Sequence, residues 1–186
     1  MVRYETVSLT YTLPPFPELM GSSMRNRFLV LLAGLVVSLA GLVATSAPAA
    51  AVTKLTHAQA TSQLSSAGLT WSSSGNCSNR YNSTCTSFEQ INQSTVSGVI
   101  TLKRSSACAV NITGGTETGH ASGTYSHWNG YKVDISHRTC VDGYIKNTFT
   151  RISNRADGYP RWQAASGNIY TDEGSHWDIL YYTCGC

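Results

Sequence analysis

Apolar residues are spread unevenly along this chain. From Phe28 to Ala44 they form a nearly unbroken run, whereas beyond residue 52 they alternate with polar ones at recognisable periods. Thr56 is placed to cap a short helix running through Ser66, with Gly68 as its stop. Trp71 to Thr86 is rich in Ser, Asn and Gly and reads as loop. Val96, Val99, Ile100 and Lys103 fall at helical spacing and predict a helix, although their β-branched content argues for strand. Cys108 to Thr113 alternates as a strand ending in Gly114-Gly115. Tyr131, Val133 and Ile135 alternate with Lys132, Asp134 and Ser136 as a clearer one. Val141, Tyr144, Ile145, Phe149 and Ile152 form an apolar helical stripe, expected to end near Asp157-Gly158. Trp177, Ile179 and Tyr181 alternate with His176, Asp178 and Leu180 as a closing strand. These elements predict an α+β fold: a small, mostly antiparallel sheet with two or three helices.

The apolar run changes the domain picture. Arg25 and Arg27 precede it, and Thr45-Ser46-Ala47-Pro48-Ala49-Ala50-Ala51 follows. A basic start, an apolar core and small residues at A-x-A sites describe a secretory signal peptide over residues 24–51. The competing reading, a membrane anchor, is weakened by the lack of a basic stop-transfer cluster. Residues 1–23, polar and Pro-containing, stand on the wrong side of the basic start. They are expected to be an untranslated or disordered extension, with Met24 the better initiator. Residues 52–186 then form a single domain, secreted, free of the membrane after cleavage, and expected to be a monomer.

All six cysteines (Cys77, Cys85, Cys108, Cys140, Cys184 and Cys186) lie in that domain. An even count behind an export signal implies a disulfide-stapled fold. Cys77 with Cys85 is the local expectation, with Cys108 or Cys140 tied to the Cys184-Gly185-Cys186 tail. The chain carries 13 Lys plus Arg against 10 Asp plus Glu, an excess too small to argue for nucleic acid.

The candidate chemistry lies in two short stretches. His127 and Asp134 belong to His127-Trp128-Asn129-Gly130-Tyr131-Lys132-Val133-Asp134, and Glu173-Gly174-Ser175-His176 follows later. Two histidines and an aspartate are a three-ligand set for one zinc ion with a fourth position open to water. Strand alternation turns Asp134 away from Val133 and Ile135, and His176 away from Trp177. The Asn129-Gly130 reversal returns His127 towards Asp134. Glu173, in the approach loop, is the candidate general base. Asp178 is either a partner that orients His176 or a surface carboxylate. His57 and His137 read as ordinary residues. Trp128, Tyr131, Tyr159 and Trp177 either line a groove or belong to the core.

At these residues the chain resembles the zinc D-alanyl-D-alanine carboxypeptidases and dipeptidases, within the superfamily that includes lysostaphin-like and hedgehog-like domains. The likeness rests on His-x-x-Gly-x-x-x-Asp-Ile followed by Glu-x-x-His and covers roughly residues 110–180. It implies that His127, Asp134 and His176 bind zinc and that Glu173 is the base. The family commonly has Ser two residues before the first ligand, where this chain has Tyr125, and a small residue where it has Lys132. Family members also carry an arginine after the strand leading into the site. Here the equivalent run, Ile112-Thr113-Gly114-Gly115-Thr116-Glu117, puts a carboxylate in its place. Either Glu117 meets a substrate amine, or Arg151, Arg155 or His120 supplies the missing positive charge. The resemblance thus implies a secreted zinc peptidase acting on short peptides, with peptidoglycan stem peptides the expected substrate. A non-catalytic zinc module that binds wall peptides or a secreted partner is the alternative. A disulfide-stapled inhibitor with incidental His and Asp residues is a third.

Overall fold

The computed structural model describes residues 52–182. The signal peptide, the preceding extension and the Cys184 and Cys186 pair lie outside the described residues.

After the short strand β1 (Lys54–Leu55) comes α1 (His57–Ser66), which starts and stops as its sequence dictates. Thr56 and Gln59 form a reciprocal capping box. Gly68, at φ +74°, lets its own N–H reach Ser65 O while Leu69 N–H reaches Leu64 O, closing the last turn. Strand β2 (Thr70–Trp71) opens the long loop that Cys77–Cys85 closes on itself, as expected. Strand β3 (Ile91–Asn92) pairs with β1 and leads into α2 (Gln93–Ser106), so the helical spacing outweighs the β-branched content. Val96, Val99 and Leu102 are buried along one stripe of α2.

Strands β4 (Asn111–Gly114) and β5 (Lys132–Ser136) follow, then α3 (Thr139–Thr148), β6 (Thr150–Ile152), β7 (Arg161–Gln163), β8 (Ile169–Asp172) and β9 (His176–Leu180). Seven strands make one sheet in the order β2-β4-β5-β9-β8-β7-β6, antiparallel except for β2 beside β4. With three helices the fold is α+β, as the pattern predicts.

Helices and sheet share one core. Val133 and Ile135 of β5, Trp177 and Ile179 of β9, and Tyr170 of β8 meet Val96, Val99, Val141 and Ile145 there. Close approach needs a small residue on α2: a Cβ on Gly98 would lie 2.3 Å from the Tyr181 ring. Trp177, one of the aromatics considered for a groove, is fully buried in this core.

Two expectations are corrected. The apolar stripe from Val141 does not stay helical to Asp157-Gly158. The helix ends at Thr148, and Phe149 turns to an extended backbone (ψ 155°). Its ring packs 4.6 Å from that of Tyr170, and Ile152 pairs with Arg161 in the sheet. Phe149, just past the helix, and Ile152, in β6, thus half-bury their side chains against the sheet, which offers them partners that a prolonged helix would not. The second correction is the disulfide: Cys108 joins Cys140, so neither is tied to the C-terminal tail. The bridge links the segment after α2 to the first turn of α3, with the two Cα atoms 5.7 Å apart.

Candidate functional site

Strand alternation creates the site. With Val133 and Ile135 in the core, Asp134 leaves the opposite face of β5; with Trp177 and Ile179 in the core, His176 and Asp178 leave that face of β9. The register sets Asp134 directly across from Asp178 and His176 across from Ser136, one diagonal from Asp134. A Cβ on Gly114 would stand 2.4 Å from Asp134 Oδ2, so that glycine makes room for the carboxylate.

Two buried carboxylates side by side repel unless cations meet them. Asp178 Oδ2 accepts from Lys132 Nζ at 2.6 Å and from Arg155 Nη1 at 3.1 Å. Around Asp134 stand three imidazoles. His127 Nε2 is 3.2 Å from Oδ1, His176 Nε2 is 3.7 Å from the same oxygen, and His120 Nδ1 is 3.7 Å from Oδ2. Burial alone would push the Asp134 carboxyl up. The contact with His127 and the charges of the three imidazoles outweigh it and hold the group below its ordinary 3.8. Burial would likewise lower His127, but Asp134, Asp178 and the Gly115 carbonyl raise it above 6.5.

The turn after Ser126 delivers His127. Gly130 N–H returns to His127 O at 2.8 Å, with Gly130 at φ +76°, so the Asn129-Gly130 reversal brings the imidazole back over β5. His127 Nδ1 donates to Gly115 O at 2.7 Å. In the neutral ring this fixes the tautomer and leaves the Nε2 lone pair facing Asp134. The contact between His127 and Asp134 Oδ1 lacks hydrogen-bond geometry. Both Asp134 Oδ1 and Asp178 Oδ1 remain buried acceptors without a hydrogen-bonded partner. Orphaned acceptors beside an available nitrogen lone pair are what a cation site requires.

The hairpin turn between β8 and β9 presents Glu173 with His176. Glu173 N–H reaches His176 O at 3.0 Å across Gly174, which sits at φ +80°. Glu173 Oε2 lies 3.2 Å from His176 Nε2, and Oε1 lies 2.6 Å from Arg155 Nη2. Glu173, His176, His127, Asp134 and Arg155 line one cavity of about 480 Å³.

The Glu117 carboxylate is already satisfied within the protein. It is 3% exposed and accepts from the backbone N–H groups of Ser87 (2.7 Å) and Gly115 (3.0 Å), and from His120 Nε2 (3.1 Å). Burial opposes its ionisation, yet those donors, led by His120, hold it below 4.5. Asp178 does not orient His176. Its partners are Lys132 and Arg155, and His176 Nδ1 pairs with Ser175 Oγ at 2.8 Å. Arg151 is bonded to backbone carbonyls and Asn154 and lies over Trp162; Arg155 is the guanidinium in the cavity. His57 stacks on Phe88 and accepts from its N–H at 3.0 Å, and His137 packs on Trp177 between Asp142 and Asp172, both outside the cavity.

His120 is the residue whose place the sequence did not fix. One ligand atom from each of His120, His127 and Asp134 lies within 4.8 Å of the other two, so the three form a group that could hold a metal ion. The two rings are stacked, with centroids 3.8 Å apart and planes 14° from parallel. A nitrogen lone pair lies in its ring plane, so both rings address one ion only if one of them turns. No family model matches the chain, and no curated protein or solved structure matches it either.

Proposed function

We propose that this protein is a secreted zinc-dependent peptidase that hydrolyses short peptides, peptidoglycan stem peptides foremost. The observation that carries the reading is the buried, orphaned Asp134 Oδ1. It faces the Nε2 of His127, which Gly115 O has fixed, with His176 on its other side and Glu173 beyond. Ligand atoms about 2.0–2.1 Å from a tetrahedral zinc ion stand about 3.3 Å apart. The 3.2 and 3.7 Å separations from Asp134 Oδ1 suit that spacing, and His176 would have to move towards His127, since the three residues whose ligand atoms already lie within 4.8 Å of one another are His120, His127 and Asp134. His127, Asp134 and His176 would hold the ion. When bound, zinc supplies a Lewis acid that polarises a carbonyl and makes water more acidic.

The chain's own residues perform the proton work. Arg155 fixes Glu173 Oε1, which leaves Oε2 on the His176 side of the cavity. From there Glu173 takes a proton from water as it adds to the scissile carbonyl, and returns that proton to the leaving amine. Arg155 also provides the cation that the family draws from another position, within the cavity that would receive a substrate carboxylate.

The test is metal analysis of the processed protein together with product identification on muropeptides. One zinc per chain and a defined peptide cleavage are expected. Glu173→Ala should retain the zinc and lose turnover by roughly 10²-fold or more. A protein that stays metal-free in zinc buffers, or a loaded one that cleaves no peptide, would end this reading.

A further inference from the structure

The cavity continues beyond His120. A second cleft of about 320 Å³ shares Gly119 and His120 with the first and runs out between Ser126 and Trp128. Its one aromatic lining residue, Trp128, is 39% solvent-accessible, and outside the cleft the 76% accessible Tyr81 packs edge to face against it at 5.7 Å.

The Trp128 ring is held rigidly. The Arg80 guanidinium lies 3.8 Å from the Trp128 ring centroid, its Nη2 donates to Trp128 O, and its Nε donates to Thr116 O at 3.2 Å. Tyr81 N–H is bound by Asn79 Oδ1, and the loop carrying both residues is closed by Cys77–Cys85. A cross-linked loop and a cation–π contact thus hold the Trp128 ring, with the Tyr81 ring resting against it. The rest of the lining is polar and directional. Ser126 Oγ accepts from Asn129 N–H and keeps its own proton to donate. Asn129 Nδ2 is spent on the carbonyls of Gly123 and Thr124, which leaves its amide oxygen to accept.

A held aromatic ring in the same cleft as a donor and an acceptor suits a pyranose, which offers a C–H face to an aromatic and a hydroxyl rim to polar groups. An apolar side chain would leave the polar lining unpaired. We propose that this cleft is a sugar subsite, so that the peptidase acts on a peptide still attached to its glycan. The inference rests on the peptidase reading for the identity of the attached peptide, but sugar binding itself does not depend on catalysis.

Two arms of one experiment separate the claims. In the first, the N-acetylglucosamine trimer is titrated into the full processed chain, with tryptophan fluorescence and amide shifts as readouts. Saturable binding is expected, with shifts at Trp128 and Ser126, and about tenfold weakening in Tyr81→Ala, the factor that ~1.4 kcal/mol of ring contact corresponds to. Tyr81 is exposed enough that this variant should fold, which guards against a collapsed Trp128→Ala. In the second arm, kcat/KM is measured on one stem peptide with and without its disaccharide. The wild type should prefer the glycopeptide through KM, and the preference should fall towards unity in either variant. No saturable binding of the trimer overturns the subsite, as does an equal loss on both substrates. If the trimer binds but neither substrate is cleaved, the subsite stands and the peptidase reading fails.

Discussion

At the residue scale, the crowding of three imidazoles around Asp134 determines what each can do. His127 is committed by Gly115 O to present Nε2 to Asp134. His120 is committed by the buried, ionised Glu117 to point Nε2 away, and its ring lies flat on His127. His176 approaches Asp134 Oδ1 from the other strand without that stacking. Three ligands on zinc need lone pairs that converge, which stacked rings do not offer, so the proposed set is His127, Asp134 and His176. His176→Ala should therefore lose zinc affinity by more than the roughly 10–100-fold of an outer-shell loss, and His120→Ala should stay within that range. Competition with a chromophoric chelator reads both. Equal losses would mean that the His120 ring turns to become a ligand. The His127, Asp134, Glu173 and His176 cluster was legible in the sequence because strand alternation and one Asn-Gly reversal suffice to gather it. The Glu117 and His120 pair was not. Glu117 is satisfied by backbone N–H groups of residues 87 and 115, a long-range arrangement that no local spacing reveals.

At the scale of elements, legibility followed length and local chemistry. Helix α1 announces itself through Thr56, Gln59 and Gly68, and β5 and β9 through alternation over five residues each. Strands β6, β7 and β8 have three or four residues, too few to show a period. Phe149 and Ile152 kept the helical stripe going on paper, and only Tyr170 and β7 recruit them into the sheet. The Cys108–Cys140 bridge was hidden for the same reason, since it depends on how α2 and α3 pack. That bridge spans 32 residues and encloses β4, the His120 and His127 loops and β5. Cross-linking a segment of that length constrains the unfolded chain by about 3–4 kcal/mol. Cys108→Ala with Cys140→Ala should lower stability by roughly that amount in denaturant titration and weaken zinc binding in parallel. The Cys77–Cys85 bridge spans only 8 residues, none of which carries a proposed ligand. Its removal should cost less and leave zinc affinity near wild type. Unchanged zinc affinity without the longer bridge would show that the sheet alone sets the ligand geometry.

For the whole molecule, pH and metal act on stability in opposite directions. Without zinc, His127 titrates above its ordinary 6.5 because Asp134 and Asp178 favour its cation. A raised folded value contributes stability that is full below 6.5 and lost as pH rises through the folded value. Asp134 and Glu117 titrate below their ordinary 3.8 and 4.5. Depressed values contribute stability that is present above the ordinary ones and lost as pH falls through the folded ones. The zinc-free protein should therefore be most stable in the mildly acidic range between these windows. Above it, His127 loses its proton while Asp134 stays buried and charged. Zinc inverts the upper limb, because it binds only the deprotonated imidazole and replaces the lost positive charge. Zinc at a hundredfold excess over its Kd adds about 2.7 kcal/mol. Thermal unfolding in chelator should show Tm falling from pH 6 to 8, and the zinc-loaded protein should show Tm rising over the same interval. Parallel curves in the two conditions would mean that His127 does not exchange a proton for the metal, and the ligand assignment would fall with it.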